Sequence, residues 1–147
     1  MTSRIRRWVE TDTGHRVPNH KSKCKNMHGH RYRWEVELEG EVVSQAGSSE
    51  EGMLMDFSDI SMILEKYIHD VVDHAFIVYE KDKEVLDFLN SLENHKTVIF
   101  PKVPTAENMA LVAFNILSKA FEEEFKGLIK PKRVRLYETP NNWADAY

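Results

Sequence analysis

A short stretch near the start of the chain, "CKNMHGH" at residues 24–30, brings together a thiol and two imidazoles. Cys24 is the only cysteine of the chain, and His28 and His30 form a His-x-His pair. Thiolate and imidazole are ligands that zinc prefers, so all three residues could bind one ion. A base or nucleophile beside a separate metal site would give the same pattern, and the stretch alone leaves both interpretations open.

A catalytic zinc site needs a third protein ligand and one open position. His15 is the candidate, because it ends a predicted strand that should pair with the strand of His28 and His30. His20 is the competing candidate, but the Pro, Asn, Lys and Ser residues around it predict an exposed loop. Cys24 could also take the third place, which would give a Cys-His-His site.

The sequence context of Cys24 is polar and basic, with Lys21, Lys23 and Lys25 around it. Positive charge favours the thiolate, so this context favours a reactive thiol over the buried and inert thiol that isolated cysteines often provide. The same lysines are also typical of a solvated loop, and a functional use for them would be to hold a polyanion.

Two acid–base groups follow a predicted helix in "VDHAF". Asp73 and His74 could form an oriented proton carrier in which the carboxylate fixes the imidazole. A histidine near a helix C terminus is also a common structural choice, because it complements the helix dipole.

Glu138 in "YETPNNW" is unusual because it continues an apolar strand face that contains Val134 and Leu136. A carboxylate in such a place requires a partner. It could accept two parallel N–H bonds from a guanidine-like edge, such as the 2-amino-4-oxo pyrimidine of a pterin or guanine. A neighbouring arginine or backbone N–H groups could satisfy it equally well.

The strand that carries the His-x-His pair shows a period of two, in which apolar side chains alternate with charged ones. The apolar members are Tyr32, Trp34, Val36 and Leu38. Extending the period backwards places His28 and His30 on the same face, about 7 Å apart along the strand.

Apolar residues at helical spacing predict three helices, and alternating or extended segments predict the strands. The predicted helices span residues 58–73, 83–92 and 104–125. The predicted strands span residues 4–10, 30–43, 96–103 and 131–140. Ser58 and Thr105 are the predicted N-caps. Helices grouped between hairpin strands predict an α+β fold with the helices on one face of an antiparallel sheet.

The composition suits one domain that spans residues 1–147. A net charge of -4, from 20 basic and 24 acidic residues, argues against a general nucleic-acid binder. We expect no membrane span, because no run of about 18 apolar residues occurs. The first residues lack the apolar segment of a secretory signal, and one cysteine forms no internal disulfide. We therefore expect a cytoplasmic protein.

Six short motifs occur in a characteristic order: "GHRVPNH", "CxxxHGH", "MDFSDI", "VDH", "PTAEN" and "ETP". Together they resemble the 6-pyruvoyl-tetrahydropterin synthase and 6-carboxy-tetrahydropterin synthase family over nearly the whole chain. The resemblance implies a tunnelling fold (T-fold), in which two helices pack on an antiparallel four-stranded sheet. It also implies a homo-oligomer, a trimer or a dimer of trimers, with active sites between subunits.

The resemblance assigns a role to each candidate residue. It implies a Zn²⁺ ion bound by His15, His28 and His30. It makes Cys24 the proton acceptor rather than a ligand, and Asp73 with His74 the proton relay. It makes Glu138 the anchor of the pterin ring, and it places Thr105 and Glu107 near that ring.

The implied reaction converts 7,8-dihydroneopterin triphosphate to 6-carboxy-5,6,7,8-tetrahydropterin, with release of acetaldehyde and triphosphate, in queuosine (7-deazaguanine) biosynthesis. The compact "KCxxxHGH" spacing and the short chain favour this carboxy enzyme. Three alternatives stay open: a 6-pyruvoyl-tetrahydropterin synthase, a non-catalytic paralogue that binds a pterin or purine, and an unrelated zinc hydrolase. The absence of an H-E-x-x-H helix motif counts against the hydrolase.

Overall fold

The computed structural model describes residues 1–147 and contains one six-stranded sheet. The strands are β1 (Thr2–His15), β2 (His28–Glu41), β3 (Phe76–Tyr79), β4 (Thr97–Phe100), β5 (Ile129–Thr139) and β6 (Asn142–Ala146). They lie in the order β4-β3-β1-β2-β5-β6. The α+β class is confirmed, and so is a group of four antiparallel strands, β1, β2, β5 and β6.

The sheet is mixed because β3 and β4 extend it with parallel pairing. The sequence predicted β4 but neither β3 nor β6. Phe76–Tyr79 is a short apolar run without polar alternation, and such a run does not distinguish a strand from the end of a buried helix. Asn142–Ala146 follows a tight turn and pairs only with β5, so its strand state depends on that neighbour.

The helices are α1 (Phe57–Leu64), α2 (Asp70–Val72), α3 (Lys83–Asn90) and α4 (Ala106–Phe125), and a π-helical turn at Glu65–His69 joins α1 to α2. Thr105 caps α4 as predicted, since its hydroxyl accepts the N–H of Asn108. The predicted cap of α1 is wrong: Asp56 accepts the N–H of Ser58, which lies within the first turn. No helix combines the length and the apolar composition that a membrane span requires.

The core lies between the sheet and the helices α1 and α4. The apolar row of β2 is almost completely buried, from Tyr32 to Leu38, and α4 contributes Met109, Leu117 and Phe121. Burial of each large apolar side chain stabilises the fold by roughly 1.5–3 kcal/mol. Ile116, which the helical spacing places on the same stripe, is 40% exposed and lies at its edge.

The opposite face of the sheet carries charged side chains in close ion pairs, and we call it the paired face. Glu37 is only 5% exposed and lies within ion-pair distance of Arg4, Arg6 and Arg133. Arg135 binds Asp145 on β6 through two hydrogen bonds, of 2.7 and 2.9 Å. The alternation of β2 therefore separates an apolar face from a charged face on which carboxylates and guanidinium groups pair with one another. Nε of Arg133 is the one buried side-chain atom of this charged face without a hydrogen-bond partner.

Candidate metal centre and active site

The pairing of β1 with β2 brings three histidines together. In this antiparallel register His15 lies opposite His28, and Thr13 lies opposite His30. The ring centroids are 4.6 Å apart for His15 and His28, 4.9 Å for His28 and His30, and 5.4 Å for His15 and His30. Their ligating nitrogens all lie within 4.8 Å of one another, so one metal ion could bind all three.

The glycine between the two histidines of β2 has a steric reason. A Cβ atom at Gly29 would lie 2.9 Å from the carbonyl oxygen of Thr13 on β1. Because that oxygen belongs to the backbone, it cannot rotate away. Gly29 therefore allows the close approach of β1 and β2 that positions the three imidazoles.

Backbone carbonyls fix the tautomers of two of these rings. Nδ1 of His15 donates a hydrogen bond of 2.7 Å to the carbonyl of Pro104, and Nδ1 of His28 donates one of 2.6 Å to that of Asn26. A carbonyl only accepts, so Nδ1 carries the proton and the Nε2 lone pair remains free. Metal-binding histidines in proteins are typically oriented in this way.

Burial favours the neutral form of two of the three imidazoles, His15 and His30. Burial lowers the pKa of His15 to about 4, and the neighbouring His28 and His30 lower it further. Burial also lowers the pKa of His30, against the opposing effect of the Glu138 carboxylate. Nε2 of both His15 and His30 is buried without a hydrogen-bond partner. Neutral imidazoles with free lone pairs fit a late first-row cation such as Zn²⁺.

A cavity of about 250 Å³ is lined by four more of the predicted site residues, Cys24, Thr105, Glu107 and Glu138. Its other walls are Val17, His20, Ala106, Asn142 and Trp143. The sequence treated His20 only as a competing metal ligand and missed Asn142 and Trp143. Their closeness to Glu138 along the chain, across one tight turn, was the available signal.

Glu138 connects the cavity with the histidine cluster. Its Oε1 lies 3.8 Å from Nε2 of His30. No arginine or lysine of the chain lies within ion-pair distance of this carboxylate. The alternative interpretation, in which a neighbouring arginine pairs with Glu138, is therefore wrong. The carboxylate is therefore available to a ligand in the cavity.

Cys24 lies in a short 3₁₀ turn, Lys23–Lys25, and is half-buried. Its carbonyl accepts the N–H of Val17, which holds the turn against the end of β1. Its thiol lines the cavity but does not belong to the group of converging ligand atoms, which consists of the three histidines alone.

The structure forms the Asp73–His74 pair but does not bring it to the cavity. Nδ1 of His74 lies 2.7 Å from Oδ2 of Asp73. The backbone N–H of Asp12 donates to Oδ1 of Asp73, and this bond, followed by the one from His74, lowers the pKa of Asp73. The side chain of His74 is 77% exposed and is absent from the cavity lining of its own chain.

This α+β protein therefore has a candidate metal site, where two antiparallel strands bring three histidines together next to the cavity. The chain belongs to the 6-pyruvoyl tetrahydropterin synthase family, whose model matches residues 4–147. It is 35% identical over 136 residues to the 6-carboxy-5,6,7,8-tetrahydropterin synthase of Rickettsia bellii. This match covers 92% of this chain and 93% of that one. It is 34% identical over 137 residues to the enzyme of the same name from Haemophilus influenzae, with 91% of each chain covered.

Solved structures show the same fold over the whole chain. An uncharacterised protein from Wolinella succinogenes superposes with a TM-score of 0.79 at 21% identity and covers 100% of this chain and 98% of that one. The 6-pyruvoyl tetrahydropterin synthase of Caenorhabditis elegans superposes with a TM-score of 0.67 at 26% identity, covering 99% and 95%. The expected family fold is thereby confirmed.

Proposed function

We propose that this protein is a zinc-dependent lyase that converts 7,8-dihydroneopterin triphosphate to 6-carboxy-5,6,7,8-tetrahydropterin, releasing acetaldehyde and triphosphate. The product would enter 7-deazaguanine (queuosine) biosynthesis. Relatives named 6-carboxy-5,6,7,8-tetrahydropterin synthase, which match more than nine-tenths of the chain, support the reaction. The observation that carries it is the 3.8 Å approach of Glu138 to His30, which joins a ligand-sized cavity to the histidine cluster.

Glu138 is the proposed anchor for the pterin. An ionised carboxylate accepts two parallel N–H bonds from the amino-pyrimidine edge of the ring, and such charge-assisted pairs are strong and directional. Thr105 and Glu107, at the start of α4, line the same cavity and would border the ring. A ring held in this way directs its side chain toward His30.

His15, His28 and His30 would hold the zinc ion through Nε2. A zinc ion bound there supplies Lewis-acid polarisation of the substrate side-chain oxygens and so acidifies the adjacent C–H bonds. Burial of His15 and His30 keeps both imidazoles neutral, which prevents protons from competing for the same nitrogens.

Cys24 is the proposed base. Cys24 lines the cavity outside the histidine cluster, in the short turn that also contains Lys23 and Lys25. A thiolate in this position accepts a proton from the substrate side chain, and triphosphate departs. A positioned base of this kind contributes roughly 10²–10⁴-fold to the rate.

The Asp73–His74 pair is the proposed second proton carrier. His74 is exposed and lies away from the cavity of its own chain, so we assign it to the cavity of a neighbouring copy in a trimer or a dimer of trimers. Asp73 fixes the Nδ1 proton of His74 and leaves Nε2 to exchange protons with a substrate.

Mixed oligomers test this assignment. Cys24→Ala and His74→Ala should each be almost inactive alone, because each removes a proton carrier from every site. Dissociation, mixing and reassembly of the two variants should restore part of the activity, since some sites then combine an intact Cys24 with a neighbour's intact His74. Mixing that restores no activity, in oligomers shown to have exchanged subunits, would place both residues in one chain's site.

A 6-pyruvoyl-tetrahydropterin synthase is the second candidate. Two observations favour this candidate. The family to which the chain belongs is named after 6-pyruvoyl tetrahydropterin synthase, and the fold is similar to that of the Caenorhabditis elegans 6-pyruvoyl tetrahydropterin synthase. The two reactions share their first steps and differ in the fate of the side-chain carbons. Loss of two carbons requires carbon–carbon cleavage by one water molecule, which supplies an oxygen of the new carboxylate, whereas their retention requires only internal proton transfers.

Product analysis separates the candidates. The zinc-loaded protein is incubated with 7,8-dihydroneopterin triphosphate, acetaldehyde is trapped with a hydrazine reagent, and pterins are identified by mass spectrometry. Acetaldehyde equal in amount to the released triphosphate is the expected result, and Cys24→Ala is the matched control. Triphosphate release without acetaldehyde would identify a pyruvoyl synthase. Binding without turnover would identify a non-catalytic pterin-binding protein.

A further inference from the structure

Unpaired buried polar atoms are concentrated at the histidine cluster. Four buried side-chain nitrogen or oxygen atoms lack a hydrogen-bond partner, and three of them are Nε2 of His15, Nε2 of His30 and the hydroxyl of Tyr32. Folded proteins pair the large majority of such atoms. The two imidazole nitrogens are the proposed metal ligands, but that role leaves the tyrosine hydroxyl unexplained.

Tyr32 is in direct contact with the cluster. It follows His30 by two residues on β2 and therefore lies on the same face. Its ring centroid is 5.4 Å from that of His30 and 5.8 Å from that of His15, in edge-to-face geometry. The side chain is completely buried, at 0% exposure. A buried hydroxyl without a partner costs about 1–3 kcal/mol, a penalty that phenylalanine in the same space would avoid.

Tyr32 lies close to two groups that line the cavity, Glu138 and Cys24. Burial raises the pKa of Tyr32 far above its ordinary value, and the nearby Glu138 carboxylate and Cys24 thiol raise it further. Glu138 and Cys24 both line the cavity, so Tyr32 interacts electrostatically with two residues that a substrate in the cavity would contact. The phenolic O–H can donate a hydrogen bond to an oxygen atom of a ligand.

We propose that Tyr32 is a positioning residue for the ligand of the three-histidine centre. Its O–H would donate a hydrogen bond to an oxygen atom of the molecule, water or substrate side chain, that binds beside the three histidines. The proposal rests on the proposed zinc site. Donors around a metal centre orient its ligands, and their removal typically lowers metal affinity about 10–100-fold.

Tyr32→Phe isolates the hydroxyl, because it keeps the ring in the core. In the metal-free protein we expect an unchanged or slightly higher free energy of unfolding in urea, since the variant lacks only an unpaired polar atom. In the zinc-loaded protein we expect zinc affinity, measured by competition with a chromogenic chelator, to fall about 10-fold. The visible absorption of the cobalt(II)-substituted protein should also shift.

Tyr67→Phe is the matched control. The hydroxyl of Tyr67 lies 3.5 Å from Glu124 on the helical side of the fold, so its removal should leave zinc affinity and the cobalt spectrum unchanged. Wild-type protein that binds no zinc would overturn the proposed centre together with this inference. Normal zinc binding by wild type, with the same affinity and cobalt spectrum in Tyr32→Phe, would overturn the role of Tyr32 alone. An equal loss of stability in the metal-free and zinc-loaded forms would show that the hydroxyl has a purely structural partner.

Discussion

The two faces of β2 differ in how their polar groups are satisfied. On the paired face, Glu35 and Glu37 both lie within ion-pair distance of Arg133, and Glu39 pairs with Arg4. On the other face, the buried polar atoms of His30 and Tyr32 have no partner within the chain. The same alternation of residues therefore produces one face on which the charged groups pair within the chain, and one that carries three of the four buried side-chain atoms without a hydrogen-bond partner.

The difference shows how a functional site can be distinguished from a structural ion-pair network. Charged side chains are conspicuous in a sequence, yet on the paired face they satisfy one another and their net contribution to stability is modest. The unpaired imidazoles and the phenol lower stability until something binds them. Chemistry is therefore expected where buried polar groups remain unpaired, and three predictions test this.

The largest expected effect is the loss of metal from the histidine cluster. His28→Ala removes one of three ligands, so we expect zinc content, measured by atomic emission after dialysis, to fall to background. Cys24→Ala is the control and should retain zinc, because its thiol lies outside the group of converging ligand atoms. Loss of zinc from Cys24→Ala would make the thiol a ligand and would remove the proposed division of roles.

A smaller effect is expected at the boundary between the cluster and the cavity. Glu138→Gln keeps the shape of the side chain but removes its charge and one acceptor. Pterin binding should therefore weaken by about 1.5–3 kcal/mol, the range for hydrogen bonds to charged groups. Calorimetric titration with a pterin measures this, and zinc content should not change. An unaltered affinity would exclude Glu138 from the binding site.

The smallest effect is expected on the paired face. The hydrogen bonds from Arg135 lower the pKa of Asp145, so its ion pair stabilises the protein above the ordinary carboxyl pKa, and this contribution is lost as the pH falls through the lowered value. At neutral pH, Asp145→Asn should cost about 0.5–1 kcal/mol in urea unfolding, because the pair is partly solvated. In strong acid the variant and wild type should become equally stable. A constant difference at both pH values would show that the loss is not electrostatic.

Much of the geometry of the candidate metal centre could be predicted from the sequence because it depends on local rules. A period of two places His28 and His30 on one face, and a hairpin-like pairing brings His15 opposite. The position of Asp73 and His74 away from the cavity of their own chain could not be predicted. It depends on where the end of α2 lies relative to β1. Tyr32 was missed as a site residue because a tyrosine in an apolar row looks like a core side chain, and only the structure shows that its hydroxyl is unpaired.

The hydrogen bonds that orient His15 and His28 end on the main-chain carbonyls of Pro104 and Asn26. A codon change at either position replaces the side chain and leaves the acceptor oxygen in place. Substitutions at these two positions can therefore accumulate over evolution while the tautomers of both rings stay the same. In directed evolution, libraries at residues 26 and 104 should consequently retain metal far more often than libraries at the histidines themselves.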